Sequence, residues 1–268
     1  MPELPDVEIF RRLAEKTCLG RLVSEVPVID PGMVQGVSAA NLRRHIEGKR
    51  VASCRRHGKV LFVEMEADGA LVMHFGMNGS LRHLAPGEKV PAHTHFSLGF
   101  AEGDWLAYLN PRRIGGVRFA ESTERFIADT NLGPDALDPA FDRASFAEAL
   151  GNGRQAIKTV LMEQSRLAGI GNIYADEILF QARLHPGLAA RTLDEAARGR
   201  LYEAMRHVFE TAVAAGAGAE TFTEKLPKDF LIPHRRPGGH CPHCGTALRT
   251  LKLGGRTGYC CPHCQPAG

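Results

Sequence analysis

Residues 241–264 read CPHCGTALRTLKLGGRTGYCCPHC, in which two Cys-x-x-Cys pairs are separated by sixteen residues. Two such pairs at this spacing are typical of a tetrahedral zinc site carried on a β-hairpin. The predicted ligands are Cys241, Cys244, Cys261 and Cys264. Four thiolates leave no open position for water, so we expect one structural Zn²⁺.

Three further side chains lie next to these pairs. Cys260 adjoins Cys261 and could compete as a ligand, although an ordinary thiol that points away is the simpler interpretation. His243 and His263 could also bind metal, but thiolates at both pairs would leave them as spectators.

The tip of the predicted hairpin and the charge of this end of the chain suggest an anionic partner. Gly254 and Gly255 fit the tip, which would place Arg256 where it could touch a phosphate. Net charge is only +3, but from Lys225 onward there are seven Lys or Arg residues and one acid, Asp229. A basic segment on a near-neutral body favours a local anion-binding face, and a solvated basic tail fits the charge equally well.

Before this segment the pattern is helical. Apolar spacing predicts four helices, over 139–150, 155–163, 173–182 and about 193–214. The second and third are separated by a Gly-rich loop, which indicates a helix-turn-helix type of arrangement. Gly169-Ile170-Gly171-Asn172 opens the third helix, and the free N–H groups of a helix start favour an anion such as a phosphate diester. Lys158, one helix earlier, could reach the same anion, although most such loops are only turns.

The first half of the chain is mainly strand. A helix over 7–16 is followed from about Arg21 to Phe119 by short apolar runs, with turns at Ala67-Asp68-Gly69 and Glu102-Gly103-Asp104. One helix interrupts the strands, with Ser38 as N-cap and Gly48 as its stop. These patterns predict a two-sheet β domain with an N-terminal helix.

The N-terminus carries a candidate nucleophile. Removal of Met1 would expose the secondary amine of Pro2. An α-amino group has a pKa of about 8, so part of it is uncharged and nucleophilic at neutral pH. Glu3 beside it could act as a general acid. Taken alone, a proline at position two is commonplace.

The bulk composition limits the class of protein. Hydrophobic residues make up 44% and charged residues 24% of 268, which is ordinary for a globular protein. We expect no membrane-spanning segment and no secretion signal, and therefore a cytoplasmic protein.

The ordered set of motifs resembles the formamidopyrimidine-DNA glycosylase and endonuclease VIII family. The motifs are Pro2-Glu3-Leu4-Pro5, Arg55-Arg56-His57-Gly58-Lys59, His74-Phe75-Gly76-Met77-Asn78-Gly79-Ser80-Leu81-Arg82, Asn110-Pro111-Arg112-Arg113, the segment 168–177 and the two Cys-Pro-His-Cys tetrads. The resemblance extends from residue 2 to Gln265 and implies an α+β multidomain fold. Its expected parts are an N-terminal helix with a two-sheet β-sandwich at 1–134, a helical domain with a helix-two-turns-helix at 135–225, and a linker with a C-terminal β-hairpin zinc finger at 226–268.

The resemblance also implies an activity and roles for individual residues. It predicts a monomeric base-excision repair enzyme that acts on double-stranded DNA, removes oxidised bases and cleaves the abasic site by β,δ-elimination. Four residues match catalytic positions of the family: Pro2 resembles the nucleophile, and Glu3 the acid at the opening sugar. Lys59 matches the hairpin lysine that binds phosphate and takes part in elimination, and Arg256 matches the zinc-finger arginine that binds phosphate at the lesion. Further DNA-contacting positions match His93, Arg112, Arg154, Lys158, Asn172 and Met77, of which Met77 and Arg112 would fill the gap left by a flipped base.

Three departures from the family bear on the lesion. Asp6 stands where the family usually has Glu, and Ile114 replaces the wedge phenylalanine. The segment directly before Cys241 has only ten residues, 231–240. Purine-specific members of the family carry a longer segment at this place, and it closes over the flipped base. Met77 and Arg112 favour oxidised or ring-opened purines, whereas the short segment points toward overlap with oxidised pyrimidines.

Two other classes of function remain as alternatives. A non-catalytic damaged-DNA-binding protein would keep the fold without the chemistry, and the presence of Pro2, Glu3 and Lys59 argues against it. A zinc-ribbon protein acting on RNA would leave the motifs before residue 225 unexplained.

Overall fold

The computed structural model describes residues 1–66, 69–218 and 222–267. Its contacts divide the chain into two compact units. The first comprises Met1–Pro2 with Asp6–Asn131, and the second Glu3–Pro5 with Leu132–Gly268. The three domain boundaries expected from the sequence stay predictions.

The first unit holds three helices and nine strands in its described residues. The helices are α1 (Leu4–Cys18, whose first two residues belong to the second unit), α2 (Ala39–Ile46) and α3 (Thr123–Asp129). The strands are β1 (Val23–Glu25), β2 (Val34–Gln35), β3 (Val51–His57), β4 (Val60–Met65), β5 (Ala70–His74), β6 (Ser80–Leu84), β7 (Thr94–Phe100), β8 (Trp105–Leu109) and β9 (Gly116–Ala120).

These strands form two sheets around one apolar core. One sheet has the order β1-β7-β8-β6, and the other β2-β9-β5-β4-β3. Alternate residues of both sheets enter the same buried cluster, for example Leu61 and Leu71 from the second sheet and Phe96 and Leu106 from the first. Alternation of this kind buries one face of each sheet, which confirms the predicted two-sheet β domain.

The helices of this unit follow local signals with one exception. The Ser38 hydroxyl accepts from the N–H of Asn41, which confirms the predicted N-cap of α2, and α1 begins earlier than the predicted residue 7. Helix α3 is absent from the sequence prediction because it has only seven residues, and its Phe126 packs on Phe62 with ring centroids 5.5 Å apart. A short helix depends on such long-range packing. The predicted turn at 67–68 lies outside the described residues.

In its described residues the second unit holds four α-helices and a β-hairpin. Its elements are α4 (Arg143–Leu150), α5 (Ile157–Leu161), α6 (Asn172–Gln181), α7 (Glu195–Ala215), β10 (Arg249–Leu253) and β11 (Arg256–Cys260). All four predicted helices are present, and α4 begins at Arg143 rather than 139 because Asp142 caps it by accepting from the N–H of Ser145. A buried cluster joins these helices, with Leu161, Ile178 and Phe209 among its members.

The described part of the chain gives no sign of a membrane span. Across 1–66, 69–218 and 222–267, no helix combines the length and the apolar character needed to cross a bilayer.

Candidate active site and DNA-binding residues

The carboxylate of Glu3 occupies the N-terminus of α6. It accepts hydrogen bonds from the backbone N–H groups of Gly171 at 2.7 Å, Ile173 at 2.8 Å and Tyr174 at 3.1 Å. The residue is only 1% exposed. Three N–H donors and the positive end of the helix dipole stabilise negative charge on this group. The structure therefore holds one fixed, charged carboxylate directly after Pro2 in the chain.

This arrangement corrects the expectation of a phosphate at the same helix start. The pattern Gly169-Ile170-Gly171-Asn172 does create an anion site, but the anion is a side chain of the protein itself. The N–H groups of Gly171, Ile173 and Tyr174 are already used by Glu3 and are not open to a phosphate.

Lys158 is buried in an ion pair. Its side chain is fully buried, and its ammonium lies 2.7 Å from the carboxylate of Asp176. Burial lowers the pKa of Lys158, and the charge of Asp176 opposes that shift. In the structure this ammonium is enclosed against Asp176, and its contact with a DNA phosphate stays a prediction.

Asn172 joins the start of α6 to the hairpin. Its side-chain amide donates to the backbone carbonyl of Thr257 at 2.9 Å. One of its two amide hydrogens is therefore engaged within the protein, and its contact with phosphate stays a prediction.

The four predicted cysteines form a cluster that fits a zinc ion. Their sulfur atoms all lie within 4.8 Å of one another. The Sγ atoms of Cys241 and Cys264 are 3.8 Å apart, and those of Cys244 and Cys261 are 3.5 Å apart. A tetrahedron of Zn–S bonds of about 2.3 Å requires S–S separations of about 3.8 Å. The donor set is all thiolate and closed, so the protein binds one structural zinc here.

The neighbours of this cluster behave as spectators. In the described residues the cluster includes neither histidine of the two tetrads, nor Cys260. The ring of His243 packs instead against Phe180, with centroids 4.6 Å apart. Cys260 is buried as an ordinary thiol at the end of β11.

The hairpin turn presents Arg256 as predicted from its glycines. Gly254 and Gly255 have φ of +54° and +70°, and Leu253 pairs with Arg256 across the turn. Positive φ at both central residues is the two-residue turn that glycines favour. Arg256 is exposed at the first position of β11, where its guanidinium can meet an external anion.

In the first unit, Lys59 lies in the tight turn between β3 and β4. Gly58 before it has φ +56°, and the following Val60 pairs with His74 of β5. Desolvation lowers the pKa of His74, and the positive charge of Lys59 lowers it further. His74 is therefore an uncharged neighbour of Lys59 at neutral pH. Pro2 lies buried in the same unit, ahead of α1.

Two loops carry the residues expected to fill the gap in DNA. Met77 is 38% exposed and Ile114 is 43% exposed, and Arg112 is exposed as well. An exposed methionine at a turn is not a core residue, which supports an external role for Met77. A Cβ at Gly76 would lie 1.1 Å from the carbonyl oxygen of Ile114, so the two loops touch through their backbones.

Asn110 ties these loops together. Its fully buried amide donates to the carbonyls of Phe75 at 3.3 Å and Ile114 at 3.1 Å, and to the hydroxyl of Tyr108 at 2.9 Å. Its oxygen accepts from the N–H of Ile114 at 3.2 Å. The sequence offered Asn110 only as part of a motif, because its contact with Phe75, 35 residues away, depends on the tertiary structure.

The remaining predicted contacts are on the surface. Arg154 is exposed just before α5. His93 is exposed but does not alternate with His95 in a strand, because it precedes β7 and has φ +64°. His95 is buried and bonded through Nδ1 to Asp30 at 2.8 Å. The DNA contact of His93 stays a prediction.

Comparison with known proteins identifies three family models along the chain. Residues 1–117 match the formamidopyrimidine-DNA glycosylase N-terminal domain, 132–224 the formamidopyrimidine-DNA glycosylase H2TH domain, and 238–267 the zinc finger found in FPG and IleRS. The formamidopyrimidine-DNA glycosylase of Listeria innocua is 34% identical over 275 residues, which cover 99% of this chain and 100% of that protein.

Similar solved structures belong to the same family as the sequence relatives. A mutant of Lactococcus lactis FPG in complex with a Fapy-dG containing DNA has a TM-score of 0.88 and 29% identity, covering 99% of this chain and 100% of that one. The Lactococcus lactis enzyme bound non-covalently to an AP site containing DNA has a TM-score of 0.87 and 28% identity, with the same coverage. The chain described here therefore belongs to the formamidopyrimidine-DNA glycosylase family.

Proposed function

We infer that this protein is a base-excision repair DNA glycosylase with AP lyase activity, and that the amine of Pro2 is its nucleophile. One observation supports this assignment of residues. The carboxylate of Glu3, the residue after Pro2, accepts hydrogen bonds from three backbone N–H groups. A fixed carboxylate beside a secondary amine provides both a nucleophile and a group that can move its proton.

The chemistry follows from these two groups. The nitrogen of Pro2 attacks the sugar C1′, and the bond from C1′ to the damaged base breaks with its electrons leaving on the base. The ionised Glu3 takes the proton lost by the amine and delivers it to O4′ as the sugar ring opens, which leaves an iminium between C1′ and Pro2. The iminium acidifies the C2′ proton, so elimination of the 3′ phosphate follows, and then of the 5′ phosphate.

The proposed DNA contacts are mainly cationic side chains. Lys59 in its turn and Arg256 at the hairpin tip are the proposed phosphate contacts next to the reacting sugar. His93, Arg154 and Asn172 are proposed contacts farther along the backbone. Arg112 and Met77 are proposed to enter the duplex when the nucleotide is flipped out.

The proposed substrate is a ring-opened or oxidised purine. Exposed Met77 and Arg112 support this choice, whereas Ile114 and the short segment 231–240 support overlap with oxidised pyrimidines. A flipped base is selected by hydrogen bonds and packing, and a short segment offers fewer of both. We expect stronger action on ring-opened purines than on 8-oxoguanine, because poor pairing lowers the cost of extrusion. We place the enzyme in the cytoplasm on chromosomal DNA, as a monomer.

Borohydride trapping on abasic-site duplex tests the assignment of Pro2. The reductant converts the iminium into a stable covalent link, so the wild-type protein should become attached to DNA. Pro2→Gly and a permanent N-terminal extension should lose most of this product. A cleavable extension whose removal restores Pro2 as the first residue is the matched control, and it should restore trapping. Undiminished trapping with the permanent extension would remove Pro2 from the mechanism.

Single-turnover rates on matched duplexes test the substrate class. A ring-opened purine, 8-oxoguanine and an oxidised pyrimidine would be compared in one sequence context. Faster release of 8-oxoguanine opposite cytosine than of the ring-opened purine would show that the argument from the short segment is wrong.

A further inference from the structure

Arg235 lies in the short segment 231–240 and contacts the zinc hairpin. Its Nη2 donates to the backbone carbonyl of Thr257 at 3.2 Å, and its guanidinium lies 5.1 Å from the ring centroid of Tyr259. Its Nε lies 2.7 Å from the carboxylate of Asp176 on α6. One side chain thus bridges the segment before the zinc finger, the hairpin strand β11 and helix α6.

The carboxylate of Asp176 contacts the same hairpin strand and a second cation. It is 1% exposed, and besides Arg235 it accepts the backbone N–H of Tyr259 at 3.0 Å and pairs with Lys158 at 2.7 Å. A Cβ at Gly258 would lie 2.2 Å from Nζ of Lys158, so the strand approaches the ion pair closely between its two anchored residues. A buried carboxylate between two cations needs both of them, which makes this arrangement rigid.

These contacts lie on the residues that follow Arg256 in β11, namely Thr257, Gly258 and Tyr259. The carbonyl of Thr257, the next residue, accepts from both Arg235 and Asn172. An isolated two-stranded hairpin is marginally stable, and its Gly-Gly turn adds freedom. The direction of the exposed Arg256 side chain therefore depends on the contacts that fix the start of β11. Arg235 and Asp176 provide these contacts.

We propose that Arg235 is a positioning residue that acts through Asp176 and Thr257 to aim Arg256 at a DNA phosphate. The proposal rests on the proposed function, because it assumes that Arg256 binds phosphate at the lesion. In this chain the short segment 231–240 contributes to catalysis by bracing the phosphate-binding hairpin. Arg235 itself is only 12% exposed in its side chain and is not a phosphate contact.

The test compares three arginine variants of the full zinc-loaded protein. Arg235→Gln, Arg256→Gln and Arg236→Gln would be titrated with a duplex that carries a tetrahydrofuran abasic analogue, over a series of salt concentrations. Arg236 is the matched control, because it is the next residue, has the same charge and is exposed. Zinc content is measured for each variant.

We expect Arg235→Gln to weaken binding about tenfold and to lower the salt slope by about one phosphate contact. Arg236→Gln should change affinity about twofold with an unaltered slope. The double variant of Arg235 and Arg256 should bind no more weakly than Arg256→Gln alone, because both changes remove the same contact. Additive losses, or equal losses from Arg235→Gln and Arg236→Gln, would overturn the proposal.

Two further outcomes separate this inference from others. If Arg235→Gln loses zinc, the Arg235→Lys variant is measured in its place. Lysine can keep an ion pair with Asp176 but not the hydrogen bond to Thr257. A wild-type salt slope of Arg235→Lys would then overturn the proposal. If the wild-type protein is not trapped by borohydride, the proposed function fails, whereas normal trapping with an unaffected Arg235→Gln variant refutes the positioning role alone.

Discussion

Glu3 and Gly171 are neighbours at the start of α6, although 168 positions separate them in the chain. The N–H of Gly171 donates to the Glu3 carboxylate at 2.7 Å, and a Cβ at Gly171 would lie 2.4 Å from Cδ of Glu3. The backbone of Gly171 has φ −121°, which any residue adopts. Glycine is needed there because of the carboxylate and not because of the backbone conformation.

Gly171→Ala should therefore displace Glu3 while leaving α6 intact. A displacement of about 1 Å at a catalytic group costs about 100-fold in rate, so we expect a loss of that order in single-turnover base release. Gly153→Ala is the control, because its nearest neighbour would be 3.9 Å away. Equal rates for wild-type and Gly171→Ala proteins would show that the position of Glu3 does not limit the reaction.

Asn110→Ala should disturb the loops of Met77 and Ile114. The change leaves the carbonyls of Phe75 and Ile114 without the buried amide, which is expected to destabilise the fold by about 2–3 kcal/mol. Base release from duplex should fall about tenfold or more, a barrier change of about 1.4 kcal/mol. Thermal unfolding and single-turnover rates measure the two effects, with the exposed Asn152→Ala as control. Loss of stability at an unchanged rate would mean that Asn110 does not position the loops.

Removal of one zinc ligand should uncouple the hairpin from the rest of the protein. Cys244→Ser is expected to lower bound zinc from about one to about zero ions per chain, because a structural site needs all four ligands. DNA binding should weaken about tenfold as Arg256 loses its support. Cys260→Ser is the control, because Cys260 is outside the cluster and should leave zinc content unchanged. Normal strand cleavage by the metal-free protein would exclude the finger from the site.

Glu177 should make stability depend on pH. Burial raises the pKa of its carboxyl to about 7, above the ordinary 4.5. Between these values the unfolded chain binds fewer protons at this residue than the folded protein, so the contribution of Glu177 to stability falls as pH rises from about 4.5 to 7. The total change is about 3 kcal/mol, from about 1.4 kcal/mol for each pKa unit.

Glu177→Gln should therefore be more stable than wild type above pH 7, and the difference should vanish near pH 4.5. Its amide can keep the hydrogen bond from the N–H of Ile232, which Glu177 accepts at 2.8 Å. Denaturant unfolding at several pH values measures the difference, and Glu203→Gln on the exposed face of α7 is the control. A difference that does not vary with pH would contradict the assignment.

Local patterns were sufficient for much of this molecule. Cysteine spacing predicted the four-sulfur cluster, because a tetrahedral zinc site needs two short-range pairs and a hairpin of suitable length. Ser38 predicted the start of α2, and Gly254 with Gly255 predicted the hairpin turn, because caps and tight turns depend on a few adjacent residues.

Long-range partners decided the rest. Local sequence predicts that the start of α6 attracts an anion, since its N–H groups and helix dipole are local properties. The identity of that anion, Glu3, and the burial of Lys158 against Asp176 depend on the tertiary fold. A charged side chain is placed by whichever opposite charge or N–H group the fold brings within about 3 Å, and that partner can come from any distance along the chain.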